Sequence, residues 1–193
     1  MCIRDSPRPG EIMFGLNLVV NRGKTIFICD TSVIEYPDAN QLADMAKSAA
    51  RVVKLFGFDP KVAFLSHSTF GQPVTDRTKR ISDAVEILKK SNVDFKFDGE
   101  MQPDVALEEV YKELYPFSEI VGSSNVLIMP SQHSAAISYK MIKSMSRAKV
   151  IGPLLIGLGL PIEIAPLRSS TSEIINLASI AAYSADVIDY KKN

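Results

Sequence analysis

The chain has 193 residues, with 22 basic and 22 acidic side chains and a formal net charge of zero. This balance argues against a nucleic-acid-binding module, which normally carries a basic excess. Hydrophobic residues make up 46% and charged residues 23%, as in folded globular proteins and unlike disordered chains. No apolar run reaches the roughly 20 residues of a membrane span, and the first ten residues lack the apolar core of a signal peptide. We therefore expect a cytoplasmic protein of roughly one to one and a half domains, with no membrane or nucleic-acid partner.

Few residues suit metal or thiol chemistry. Cys2 and Cys29 exclude a disulfide framework and argue against a thiolate zinc site. His67 and His133 stand far apart, and neither belongs to a HExxH motif. The chain also lacks a GxGxxG, Walker or GxSxG motif. The sequence thus predicts no metal and no resident cofactor within this chain.

The first predicted elements are a tail, a hairpin and a helix. Residues 1–10 are polar, proline-rich and aperiodic, which is typical of a loose tail. Two apolar runs flank a short turn that contains glycine and indicate a β-hairpin over residues 16–29. Asp38 and Gln41 have capping-box spacing, and apolar residues then recur at helical spacing as far as Gly57.

Strands and helices alternate along the rest of the chain. The predicted strands are 62–65, 95–97, 126–129, 150–151 and 162–164. The predicted helices carry apolar stripes over 81–88, 107–114, 137–145 and 174–188. The pattern indicates an α/β fold with a mainly parallel sheet and helices on both faces.

The carboxyl ends of parallel strands are the usual place for ligands. The first segment there is Ser66, His67, Ser68 and Thr69, whose hydroxyls and imidazole suit an anion such as phosphate. The same residues suit a polar loop with local turns, which is the preferred interpretation on spacing alone.

Three later segments have two explanations each. The carboxylates of 98–104 suit acid–base or metal chemistry, but acids at a helix start also stabilise its positive end, and we prefer the latter. His133 could be a catalyst or a helix-start residue, and we prefer the latter. Gly152 and Pro153 allow either close approach of a flat or extended ligand or a plain tight corner.

Five segments, in matching order, resemble the phosphate acetyl/butyryl transferase family. They are CDTSV, LADMAKSAARVVKLFGFDPKVAFLSHSTFG, DGEMQPDVAL, NVLIMPSQHSAAISYK and AKVIGPLLIGLGLPIEIAPLRSSTSEIINLASIAAYSA. Together they span about residues 14–185, whereas residues 1–10 match nothing and are interpreted as a foreign start. The resemblance implies a phosphotransacetylase-type fold, similar to isocitrate and isopropylmalate dehydrogenases, with acyl-CoA and phosphate bound between two α/β domains.

The resemblance also implies a division of the chain. Residues 38–159 correspond to the complete second domain, residues 12–37 and 160–193 to a remnant of the first, and residues 1–11 to the tail. The family's first domain is longer than the stretch before residue 38, so we expect an N-terminally truncated fragment. Truncation would leave the hairpin and the last helix without their usual sheet, and unpaired edges favour association or aggregation.

The family's site residues carry over to named positions. Those implied to bind acyl-CoA or phosphate are Ser66, His67, Ser68, Thr69, Gln102, Ser131, Gly152, Pro153, Arg168 and Ser170. In active members a Ser-Arg pair follows the last strand, and an acidic residue at the next helix acts as a base. An ungapped alignment puts Pro166 and Leu167 at the pair and Glu173 at the acidic position, whereas a one-residue shift puts Arg168 at the arginine. Catalytic roles for Arg168 and Glu173 therefore apply only if the domain is active.

Such replacements are typical of the version of this domain fused to an NADP-dependent malic enzyme, which decarboxylates malate to pyruvate. The preferred hypothesis is its non-catalytic part, which senses acetyl-CoA as an allosteric ligand and forms homo-oligomers. The NADP and divalent metal (Mg or Mn) of that parent would bind outside this chain, which alone should be inactive. The alternatives are an active phosphate acyltransferase and a purely structural oligomerisation module. A serine beside Arg168 at the pocket mouth would contradict the preferred hypothesis.

Overall fold

The computed structural model of the chain describes residues 8–190 and the side chains of residues 8–185. Residues 1–7 of the predicted tail lie outside this range. The strands within it are β1 (Phe14–Asn21), β2 (Lys24–Cys29), β3 (Lys61–Leu65), β4 (Lys96–Met101), β5 (Val126–Ile128) and β6 (Lys149–Ile156). The helices within it are α1 (Ala39–Leu55), α2 (Asp76–Lys89), α3 (Pro103–Leu107), α4 (Gln132–Met145) and α5 (Thr171–Tyr190). None of the described helices is long and apolar enough to cross a membrane.

The six strands form one mixed sheet in the order β4-β3-β5-β2-β1-β6. Four neighbouring strands run parallel to one another, namely β2, β5, β3 and β4. Strand β1 is antiparallel to both of its neighbours, β2 and β6. β1 and β2 are the predicted hairpin, and Arg22 and Gly23 in its turn both have positive φ, as such two-residue turns require. The predicted α/β class with a mainly parallel sheet is confirmed.

The hairpin occupies the interior of the sheet. β2 pairs with β5, β1 pairs with β6, and the edges are β4 and β6. The expectation that the hairpin lacks its sheet is therefore wrong, because both of its strands have hydrogen-bonded neighbours on each side. Residues 14–29 thus share one sheet with residues 61–156, whereas the division into a complete domain and a remnant stays a prediction.

Two apolar cores lie on opposite faces of the sheet. Phe27 and Phe64 pack on one face with the buried sides of α1 and α2. Ile28 and Leu127 pack on the other face, where α4 contributes the buried Ala135. The side chains of adjacent strand residues point to opposite faces, so Phe27 and Ile28 belong to different cores. Helices therefore cover both faces, as the alternating pattern predicts.

Two predicted elements take another form. The stripe over 107–114 does not form one helix: α3 ends at Leu107 and a 3-10 turn follows at Glu109–Glu113, where the chain at Gly122 lies directly against Glu109. The predicted strand at 162–164 is reduced to a single bridge between Leu154 and Glu163, since Pro161 nearby has no backbone N–H to donate to a ladder.

Candidate functional site

A cleft of about 320 Å³ lies between β6, α4 and the start of α5. Three cations line it, namely Lys140 and Lys143 on α4 and Arg168 on the loop before α5. Glu173 is the one carboxylate among the described lining residues, so the cleft has two net positive charges. Positive charge concentrated in a concave site attracts anions. The cleft therefore suits a phosphate-bearing ligand.

Gly152 and Pro153 of β6 line this cleft. A Cβ atom on Gly152 would lie 2.8 Å from the backbone oxygen of Leu16, and the φ of Gly152 is +123°. Only glycine fits such an approach between two strands, so Gly152 has a packing role. The two residues lie within β6 at a shift in its register with β1, not at a corner, and they also line the cleft.

Glu173 is fixed at the start of α5. Its Oε2 accepts hydrogen bonds from the backbone N–H of Ser170 at 2.7 Å and from the Ser170 hydroxyl at 3.0 Å. Its Oε1 lies 3.3 Å from Lys143 Nζ. These contacts, first the N–H of Ser170, lower the pKa of Glu173 below its ordinary value. A carboxylate stabilised in its ionised form is a weak proton acceptor, and here it completes the predicted capping box with Ser170.

The two residues aligned with the Ser-Arg pair carry no donor. Pro166 lines the cleft, whereas the Leu167 side chain points fully into solvent. Ser169, the residue after Arg168, lines the cleft together with it. A serine and Arg168 thus line the same cleft, in reversed order along the chain, and this favours the alternative of an active transferase. The engagement of Glu173 by Ser170 and Lys143 favours the non-catalytic hypothesis instead.

The serine-rich loop lies far from this cleft. β3 and β6 are four positions apart in the sheet, a separation of about 19 Å at about 4.8 Å per strand. The hydroxyl of Ser68 donates to Ser66 Oγ at 3.2 Å and to Glu100 at 3.0 Å. Thr69 Oγ1 accepts the backbone N–H of Gln102 at 3.2 Å. These internal bonds support the polar-loop interpretation.

Glu100 is the centre of that loop. Its carboxylate is buried and accepts hydrogen bonds from the Ser68 hydroxyl, the Gly71 N–H at 2.7 Å and the Ser82 hydroxyl at 2.5 Å. Burial alone would raise the pKa of Glu100, but the donors, first Ser82 and then Gly71, lower it. The carboxylate thus ties the loop after β3 to α2 and β4.

The neighbouring acids have separate partners. Asp104 lies in the first turn of α3 and accepts the Tyr111 hydroxyl at 2.9 Å. Within the described part of the chain, no group of three or more metal-ligating side chains comes together. Of the three carboxylates in the 98–104 run, only Asp104 lies at a helix start. Asp98 and Glu100 lie in β4, which extends beyond the strand predicted at 95–97.

The remaining predicted residues lie at helix starts or in solvent. Ser131 caps α4 by accepting the Ser134 N–H at 3.3 Å. His133 lies in the first turn of α4, as predicted, 3.4 Å from Glu35. Gln102 precedes α3, and His67 is exposed.

Only part of the predicted set therefore converges. The structure brings Gly152, Pro153, Arg168 and Glu173 together at the cleft, with Ser170 bonded to Glu173. The sequence interpretation missed Lys140 and Lys143. Their i, i+3 spacing places them on one face of α4, and this was the available signal.

Comparison with known proteins places these observations in context. The profile described as phosphate acetyl/butaryl transferase matches residues 3–182. An NADP-dependent malic enzyme of Rhizobium meliloti (strain 1021) is 45% identical over 179 residues, which cover 93% of this chain and 24% of that protein. A phosphate acetyltransferase of Bacillus subtilis (strain 168) is 34% identical over 169 residues, which cover 86% of this chain and 52% of that protein.

A solved structure is similar over the same region. A phosphotransacetylase from Streptococcus pyogenes has a TM-score of 0.87 and 32% identity, and the match covers 93% of this chain and 56% of that chain. The present chain thus spans about a quarter of the malic enzyme and about half of the transferases. Because the family match begins at residue 3, the expectation that residues 1–10 match nothing is wrong from residue 3 onward.

Proposed function

Because the chain belongs to the phosphate acetyl/butaryl transferase family, we propose that it is a non-catalytic, acetyl-CoA-binding part of an NADP-dependent malic enzyme. One observation carries this proposal: the cleft beside β6 has two net positive charges, while its carboxylate, Glu173, is engaged as a helix cap. The cleft therefore favours binding of an anion over proton transfer.

The cations of the cleft suit the phosphates of coenzyme A. Arg168 offers a planar guanidinium that can donate two parallel hydrogen bonds to one phosphate. Lys140 and Lys143 add point charges from the facing helix. The pocket between them is large enough for a phosphate group and part of the chain attached to it. Acetyl-CoA is thus the ligand of the proposal.

The proposed lack of catalytic activity follows from residues of the same cleft and the loop before α5. Pro166 and Leu167 cannot donate to an oxyanion, and one missing donor of that kind typically costs about 2.7–4 kcal/mol of transition-state stabilisation. Glu173 has a lowered pKa and three donors, so it accepts a proton weakly. Both features support a non-catalytic role.

The rest of the proposal concerns the longer protein. NADP, the Mg or Mn ion and malate decarboxylation would belong to the part of a malic enzyme outside this chain, in the cytoplasm. Homo-oligomers are supported by α4, where Ile137, Met141 and Met145 are each more than half exposed. Apolar stripes of this kind mark contacts between proteins.

Calorimetric titration of the 193-residue chain with acetyl-CoA tests the proposal. We expect binding in the wild type and a loss of about 10- to 100-fold in Arg168→Ala, since hydrogen bonds to charged groups contribute about 1.5–3 kcal/mol. Arg77→Ala, on the exposed side of α2, is the matched control and should bind normally. Absence of heat with the wild type would refute acetyl-CoA binding and leave the purely structural role.

An active phosphate acyltransferase is the second candidate, favoured by Ser169 beside Arg168 in the cleft. Its reaction would transfer the acetyl group of acetyl-CoA to inorganic phosphate, giving acetyl phosphate and free CoA. Thiol release from acetyl-CoA in the presence of phosphate measures it directly. In the full-length parent protein, turnover that disappears in Ser169→Ala would establish this candidate, whereas equal background rates in wild type and variant would exclude it.

A further inference from the structure

The ion pair between Lys143 and Glu173 joins α4 to α5 across the candidate cleft. Lys143 Nζ lies 3.3 Å from Glu173 Oε1, and both residues line the cleft. About half of the Lys143 side chain and about a third of the Glu173 side chain remain accessible to solvent. A dissolved anion can therefore reach the lysine without prior rearrangement of the core.

Helix α5 has few other contacts with the body of the protein. Among its side chains up to residue 185, Leu177 is the buried apolar one, and Ile180 packs partly against the same core. Ile174, Ile175 and Tyr183 are each half exposed. Because few apolar groups hold the helix, the ion pair at its first turn is one of a small number of contacts that attach it to the rest of the protein.

An anion in the cleft would compete with Glu173 for Lys143. A phosphate can carry two negative charges, whereas the carboxylate carries one, so the lysine is drawn to the ligand. Glu173 stays ionised after losing Lys143, since its other oxygen still accepts both hydrogen bonds from Ser170. The carboxylate then lies beside a like charge, and repulsion favours its withdrawal from the cleft.

We propose that a phosphate-bearing ligand in the cleft takes Lys143 from Glu173 and so loosens the first turns of α5 from α4 and β6. The Lys143–Glu173 pair, called the latch below, thereby couples ligand binding in the cleft to a change at the surface of α5. The inference rests on the proposed function, because it names the regulation of the same site. Loosening changes how Ile174 and Ile175 are presented, which gives ligand binding a consequence outside the cleft.

Glu173→Gln isolates the latch. Glutamine keeps an oxygen that accepts the Ser170 N–H, as capping boxes with glutamine do, but it removes the charge that holds Lys143. Loss of an exposed ion pair changes the equilibrium constant of the process it stabilises by up to about fivefold. Without ligand, we expect amide hydrogen exchange over residues 171–180 to be up to about fivefold faster in E173Q than in the wild type. Glu86→Gln removes an ion pair with Lys89 on α2 that is also solvent-exposed, and it should leave this exchange unchanged.

Acetyl-CoA is the probe for the ligand-dependent step, and calorimetry on the same samples measures binding separately. We expect acetyl-CoA to accelerate exchange over residues 171–180 in the wild type and in E86Q. E173Q should not respond further, and it should bind acetyl-CoA up to about fivefold more tightly. Binding heat with unchanged or slower exchange in the wild type would overturn the latch and leave the proposed function intact. Equal exchange of unliganded E173Q and wild type would also overturn it, and absence of heat would overturn both.

Discussion

Glu163→Gln should change how the stability of the protein depends on pH. Glu163 lines a largely apolar cavity of about 460 Å³ between α1, β6 and α5. Its Oε2 accepts a hydrogen bond of 3.3 Å from the Leu155 N–H. Burial raises the pKa of Glu163 from 4.5 to about 7, and the single hydrogen bond from Leu155 offsets this only in part. The ionised form is therefore disfavoured in the folded state.

The sign and size of the effect follow from linkage. The folded protein holds the Glu163 proton up to about pH 7, whereas the unfolded chain releases it near pH 4.5. The free energy of unfolding therefore falls as pH rises between these values and is constant above them. A difference of about 2.5 between the Glu163 pKa values of the folded and unfolded states corresponds to a loss of about 3.4 kcal/mol in the free energy of unfolding. Solvent still reaches part of this side chain, so screening reduces the expected change to about 1.5 kcal/mol.

Urea unfolding followed by circular dichroism at pH 4.5 and pH 8 measures the change. Glutamine cannot ionise, so the unfolding free energy of E163Q should exceed that of the wild type by about 1.5 kcal/mol at pH 8 and by less than about 0.5 kcal/mol at pH 4.5. Glu113→Gln, at an exposed position of the 3-10 turn, is the matched control and should show no such trend. A difference between E163Q and wild type that is the same at both pH values would refute the reasoning.

Two further substitutions test structural contacts described above. Glu100→Gln weakens charge-assisted hydrogen bonds from three donors and should lower the unfolding free energy by about 1.5–3 kcal/mol. The control is Glu119→Gln, whose pair with Lys96 is exposed, and it should change the unfolding free energy by less than about 1 kcal/mol. Equal effects of the two substitutions in urea unfolding would contradict the role of Glu100. Gly122→Ala would place a Cβ 2.6 Å from the Cα of Glu109, whereas Gly23→Ala has the same left-handed φ and open space. We expect Gly122→Ala to lose about 1–3 kcal/mol more than Gly23→Ala, and similar thermal midpoints for the two variants would count against this close packing.

Local signals predicted most of the fold. The capping pairs Asp38–Gln41 and Ser170–Glu173 both form, because a cap depends on residues three positions apart and on nothing distant. The apolar runs at β3 and β5 became buried parallel strands, since apolar residues throughout a strand require cover on both faces. Such rules need no knowledge of the rest of the chain.

The errors arose where distant segments decide the outcome. The place of the hairpin inside the sheet depends on pairing between β2 and β5, which are separated by about a hundred residues. The break after residue 107 lies where Gly122 packs against Glu109. No periodicity within a short window contains this information.

The candidate site was predicted in part for the same reason. Arg168 and Glu173 were found through resemblance to a family motif, and Gly152 through its place after a strand. Lys140 and Lys143 reach the cleft only because α4 packs beside β6 and α5 returns over it. The serine-rich loop lies far from the cleft because of the order of the strands in the sheet, and no sequence motif encodes that order.

The double engagement of Glu173 limits what substitutions elsewhere in the cleft can achieve. One carboxylate closes the first turn of α5 and also pairs with Lys143, so it is occupied twice before any substrate arrives. Serine and arginine placed at positions 166 and 167 would therefore supply an oxyanion partner without freeing Glu173 as a base. A variant with both groups would also need another residue to begin that helix, which is more than one substitution provides.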